Sequence, residues 1–134
     1  MLVKEIFERY KTIAVVGMSK NPAKASYSVP KFFIDNGYKV IPVNPTADEI
    51  DGIKVYKTLS DIPDIIEILN VFRPSDIALE VVQEAIERRK TKGDIKLIWL
   101  QEGIINDEAK KLAEDNGIEF IQDKCMYKLY ESTH

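Results

Sequence analysis

The 134-residue chain is 45% hydrophobic and 31% charged, and its 19 basic against 22 acidic residues leave a formal charge of −3. This is the composition of an ordinary globular protein, which excludes disordered and fibrous classes and argues against a general nucleic-acid binder, whose surface carries a strongly basic face. A chain of this length buries about two thirds of its unfolded surface in one core, so a single domain over 1–134 is expected.

The amino-terminal "MLVKEIFERYKTIA" opens with Leu2, Val3, Ile6, Phe7 and Tyr10 at helical spacing. It is amphipathic rather than a signal-peptide core, and no apolar run approaches the ~20 residues of a membrane helix. No membrane association is expected, and the expected location is the cytoplasm. "TIAVVG" then reads as a buried strand ending at Gly17. A helix is expected from about Ser26 to Asn36, with Ser26 or Ser28 as its N-cap, Pro30 in its first turn and Gly37 past its end. "YKVIPV" is the next strand, and the following segment carries turn signals with a short strand near Lys54 to Tyr56. "IIEILNVF" is a strongly apolar strand; "PSDIALEVVQEAIERRKTK" is a helix opened by Pro74 or Ser75, with Val81, Val82, Ala85 and Ile86 on one stripe. "IKLIWL", "NDEAKKLAEDNG" and "IEFI" give strand, helix and strand, and the tail from Lys124 shows no clear period.

Strand and helix thus alternate, and the strands are continuous apolar runs rather than in/out alternations. This predicts an α/β, Rossmann-like doubly wound fold: a mainly parallel sheet with helices on both faces.

In such sheets ligands bind beyond the carboxyl ends of the strands, where the strand order reverses. That places "GMSKNPAKAS", Gly17 to Ser26, at the expected site. A dinucleotide fingerprint would need glycine where Ser19 and Pro22 stand. The loop instead offers hydroxyls (Ser19, Ser26), an amide (Asn21), ammonium groups (Lys20, Lys24) and backbone N–H groups, an inventory suited to phosphate. The end of the second strand, "IPVNP", lacks the carboxylate that holds a ribose in NAD-binding domains. Asn44 and Pro45 could wall an adenine-type ring there, or simply end the strand. Phe72 and Arg73 close the next strand, and Gln101 and Gly103 follow the next.

These residues carry a family likeness. "IAVVGMSKNPAKASYSV", "GYKVIPVNP", "VFR", "WLQEGI" and the late "DKC", in that order and spacing, resemble the small stand-alone CoA-binding domain proteins, similar in fold to the CoA-binding domain of the succinyl-CoA synthetase α subunit. The likeness runs from about Thr12 to Cys125. It implies coenzyme A as ligand, with Gly17, Met18, Ser19, Lys24, Ser26 and Tyr27 at the phosphate loop. It also implies Asn44 and Pro45 beside the nucleotide, and Phe72, Arg73, Gln101 and Gly103 closing the site. Pro30 stands where that family usually has a small residue, and Lys24 where arginine is frequent.

Cys125 is the one cysteine and His134 the one histidine, so no disulfide framework, multi-cysteine metal cluster or histidine-based triad is expected. Cys125 beside Lys124 is either a buried structural thiol or, near bound CoA, a candidate for mixed-disulfide exchange. The expected function is non-catalytic binding of CoA or an acyl-CoA by a carrier, sensor or regulatory module. The alternative is an NAD(P)- or CoA-dependent enzyme whose catalytic group comes from a partner subunit.

Overall fold

The computed structural model describes residues 1–134. In chain order it contains α1 (Val3–Arg9), β1 (Thr12–Val16), α2 (Ala25–Asp35), β2 (Lys39–Val43), β3 (Glu49–Ile50), β4 (Ile53–Lys54), β5 (Ile68–Val71), α3 (Ala78–Lys92), β6 (Leu97–Leu100), α4 (Asp107–Asp115), β7 (Glu119–Ile121) and α5 (Met126–Thr133). β2, β1, β5, β6 and β7 form one sheet in that order, every neighbouring pair parallel. A single parallel bridge from Val43 to Tyr56 adds the stub of another strand outside β2. With it, the spatial order is that of a dinucleotide-binding fold whose third strand has shrunk to one residue.

Side chains alternate across each strand and fill two cores. Ala14, Val16, Ile41, Val43, Leu69, Val71, Ile98 and Leu100 face α3 and α4, against Val82, Ala85, Ala109 and Ala113. Ile13, Val15, Val40, Ile68, Leu97 and Trp99 face α1, α2 and α5, against Phe7, Val29, Phe33 and Met126. The doubly wound parallel sheet expected from the sequence is what the chain forms.

Several local expectations are corrected. α2 begins at Ala25, with Lys24 at its N-cap and no side-chain capping bond, so neither Ser26 nor Ser28 caps it. Pro30 lies inside that helix rather than in its first turn. Ser75 does not cap α3: its hydroxyl accepts from Ile105 N–H (3.0 Å), and its carbonyl accepts from the Asn106 amide (2.9 Å). Asn106 caps α4 by accepting from Ala109 N–H at 2.9 Å. Between β2 and β5 stands a two-residue hairpin, β3–β4, turned at Asp51 and Gly52, both with positive φ. The tail forms α5, which lays Met126, Leu129 and Tyr130 on the aromatic side of the sheet.

The end of the sheet where the strands begin is tied by a buried ion pair. Arg88 and Asp94 side chains are 2% and 1% exposed and meet at 2.9 Å. Arg88 also donates to the carbonyls of Leu59, Ile62 and Asp64, while Asp94 accepts from Ile66 N–H. One guanidinium thereby anchors the 59–66 segment beneath α3, with its hydrogen-bonding capacity met inside the protein.

Candidate functional site

The site begins at the turn after β1. Gly17 has φ +88° and donates to the Val43 carbonyl at 2.9 Å. A Cβ there would stand 2.7 Å from the Phe72 carbonyl oxygen. Glycine is needed because the exits of β1 and β5, between which the strand order reverses, approach each other here too closely for a Cβ.

Beyond Gly17 the loop is held by its own polar groups. Ser19 Oγ accepts from Asn21 N–H (3.0 Å), Asn21 Oδ1 from Ala23 N–H (3.0 Å), and the Asn21 carbonyl from Lys24 N–H (3.0 Å). Ser19 N–H donates to the Ser26 carbonyl at 3.2 Å, joining the two ends of the loop. The N–H groups of Met18, Lys20, Ala25 and Ser26 donate to no protein acceptor. Ala25 and Ser26 open α2, whose first turn holds no acidic residue, so the positive end of its dipole is unopposed.

These groups line a cleft of about 430 Å³ together with Asn44, Thr46, Ala47 and Phe72. Lys20 and Lys24 are exposed at it, and neither takes part in an ion pair. Asp48, in the turn beyond Ala47, is bonded to Lys57 Nζ at 2.9 Å. That hydrogen bond, then the charge of Lys57 and at longer range that of Lys20, holds its carboxyl below the usual range. The nearby acid is therefore already paired, and the two loop lysines are left uncompensated. Asn44 fixes the wall: its Nδ2 donates to the Met18 carbonyl (3.0 Å), and its Oδ1 accepts from Thr46 N–H (2.9 Å) and Thr46 Oγ1 (2.8 Å).

A second cleft of about 200 Å³ lies across the strand ends, on the α3 side. At three strand exits one residue faces each cleft: Gly17 against Val16, Asn44 against Pro45, and Phe72 against Arg73. The second cleft is mainly apolar, with Val43, Ile77 and Val81 beneath a rim of Lys57, Thr58, Glu80 and Glu84. The Arg73 guanidinium at that rim has neither a hydrogen-bond nor an ion-pair partner.

Of the residues named from the sequence, Gly17, Met18, Ser19, Lys24, Ser26, Asn44 and Phe72 converge on the polar cleft, and Pro45 and Arg73 on the apolar one. Met18 lines it from the main chain, since its side chain is 1% exposed in the core. Four residues lie outside both clefts. Tyr27 points toward the hairpin, donating to Asp51, and that bond chiefly raises its pKa. Gln101 is buried, donating to Asn70 Oδ1 (2.6 Å) and accepting from Met126 N–H (3.2 Å). Gly103 N–H donates to Asp123 Oδ1 at 2.7 Å. Cys125 is half-buried at the start of α5. Thr46, Ala47, Lys57 and Thr58 were not singled out by sequence; the Asx turn at Asn44 and the one-residue bridge at Tyr56 bring them in. No helix is long and apolar enough to cross a membrane, and no cluster of three or more His, Cys, Asp or Glu side chains is placed to hold a metal ion.

The chain is similar to proteins of one kind. It is 41% identical over 124 residues to the uncharacterized protein YneT of Bacillus subtilis, covering 92% of this chain and 88% of that protein. It is 30% identical over 120 residues to an ADP-forming acetate–CoA ligase of Methanocaldococcus jannaschii, covering 87% of this chain but 17% of the ligase. Among solved structures, a hypothetical protein from Pyrococcus horikoshii OT3 superposes with a TM-score of 0.90 at 36% identity, over 98% of this chain and 89% of that one. The apo dinucleotide-forming acetyl-coenzyme A synthetase 1 of Ca. Korarchaeum cryptofilum gives 0.74 at 28% identity, over 89% of this chain and 27% of the synthetase. Residues 11–131, from the lysine before β1 into α5, match the model of the CoA binding domain, and the chain belongs to that CoA-binding family.

Proposed function

We propose that the protein binds coenzyme A or an acyl-CoA as a single non-catalytic module, a carrier, sensor or regulator, with the phosphates of the ligand in the polar cleft. The observation that carries this reading is the gathering, in one cleft, of unpartnered N–H groups from Met18, Lys20 and Ser26 with the unpaired ammonium groups of Lys20 and Lys24. CoA brings a diphosphate and a 3′-phosphate, and this donor set answers that charge. Arg73, across the ridge, adds a guanidinium suited to a further phosphoryl oxygen. The apolar cleft offers an uncharged part of the ligand a wall. An NAD-type ribose would need a free acceptor at the end of β2, and the Asn44 carboxamide oxygen is already engaged by Thr46. Bound CoA would supply a thiol; the chain's own residues bind and orient its phosphates.

Native mass spectrometry of the purified protein, followed by calorimetric titration with CoA, dephospho-CoA, NAD and ADP, tests this. Tighter binding of CoA than of dephospho-CoA or NAD is expected. NAD binding as tightly as CoA, or no CoA binding, would overturn the reading.

A further inference from the structure

Pro30 is the sixth residue of α2 and is buried. A helix normally satisfies the carbonyl four residues earlier with an N–H, but proline has none, and its ring crowds that carbonyl. The carbonyl in question belongs to Ser26, and it accepts from Ser19 N–H at 3.2 Å. The carbonyl of Lys24, at the N-cap, accepts from both Tyr27 and Ser28 N–H at 3.0 Å, so the first turn remains closed. Only the Ser26 carbonyl is released, and it meets the backbone of the loop that faces the polar cleft.

We propose that Pro30 is a positioning residue for that loop: by withholding the helical donor, it leaves the Ser26 carbonyl to hold Ser19 N–H, and so fixes the spacing between the loop and the first turn of α2. This bond is the one backbone tie between the β1 end of the loop and the helix it enters. The unpartnered N–H groups of Met18 and Lys20 flank Ser19 on one side, and that of Ser26 lies at the other end of the tie. A residue with an N–H at position 30 would share the same carbonyl from within the helix, where geometry favours it, and would weaken its hold on Ser19. The ligand arm of this inference rests on the CoA reading, whereas the loop arm does not.

Two variants separate the N–H from the volume. Pro30→Ala and Pro30→Val both restore the donor, and valine keeps more of the buried bulk. In the unliganded protein, the Ser19 amide is expected to exchange with solvent about tenfold faster in both, with a thermal midpoint no lower for Pro30→Ala because an interior proline is replaced by a good helix former. CoA affinity is expected to fall about 5- to 10-fold in both, the worth of one positioned hydrogen bond. Unchanged Ser19 protection in the two variants would overturn the proposal, as would a loss of affinity confined to Pro30→Ala, which would point to packing. Should the wild-type protein fail to bind CoA, the functional reading falls, while the exchange comparison still decides whether Pro30 sets the loop.

Discussion

Gly17 and Phe72 cross so closely that a methyl group on the glycine would lie 2.7 Å from the phenylalanine's carbonyl oxygen. That oxygen cannot easily retreat, because Phe72 N–H is fixed on the Val16 carbonyl at 2.9 Å. The contact closes the polar cleft at its base and sets the separation of the first loop from the end of β5.

Gly17→Ala combines this clash with a left-handed backbone, φ +88°. A non-glycine residue in that region costs roughly 1–2 kcal/mol, and a contact this short adds a comparable strain. A destabilisation of about 2–4 kcal/mol by urea unfolding is expected, with loss of CoA binding. An unchanged unfolding midpoint would mean that the crossing relaxes without cost.

Lys20 and Lys24 behave differently from Gly17 because their side chains make no hydrogen bond or ion pair within the fold. Both are exposed and unpaired, so alanine at either position should leave the unfolding free energy within about 0.5 kcal/mol of wild type. Each removes a charge from the phosphate-facing cleft, and Lys24→Ala is expected to weaken CoA binding by about 1–3 kcal/mol. The loss should shrink as salt rises, since an exposed charge is screened. Calorimetry at low and high ionic strength checks this, and unchanged affinity at both would remove Lys24 from the site.

What was legible in the sequence were the features set by local pattern. The strand exits at Gly17, Asn44 and Phe72 follow from apolar runs broken by turn chemistry, and the sheet edge then places those exits together. Pro30 was not legible, because propensity puts proline in a first turn, whereas tertiary pairing between Ser19 and Ser26 makes an interior position tolerable. Gln101 reads as an edge residue by its place after β6, yet it is turned inward by Asn70, a partner 31 positions away. Lys57 and Thr58 were invisible for the opposite reason. One bridge at Tyr56 is too short to leave a strand pattern, yet it suffices to carry the next two residues to the apolar cleft.

The Arg88–Asp94 pair should matter to stability far more than to binding. Asp94→Ala would leave a guanidinium, 2% exposed, with its carbonyl partners but no counter-charge. Breaking a buried pair from one side costs about 3–5 kcal/mol. Neither residue lines a cleft, and the pair reaches the apolar one only through the Leu59 carbonyl that Arg88 holds, so CoA affinity measured below the unfolding transition should change by no more than about twofold. A variant as stable as wild type would show that the pair does not anchor the 59–66 segment.

Tyr38 gives the fold a signature at high pH. Its hydroxyl donates to the Phe7 carbonyl at 2.6 Å, and burial, with a smaller push from Tyr130, raises its pKa to about 12. Lys11 Nζ donates to the Tyr38 hydroxyl oxygen at 3.4 Å. An unfolded tyrosine ionises near pH 10, so the folded state holds the proton more tightly. This contribution is whole below about pH 10 and is lost as pH rises through about 12. Urea unfolding from pH 9 to 12 should therefore show stability declining over that interval. Tyr38→Phe should flatten the decline and cost about 1 kcal/mol at neutral pH, the net worth of the lost hydrogen bond to Phe7. An identical decline in the variant would assign the alkaline sensitivity to other groups, because the phenylalanine has no proton to lose.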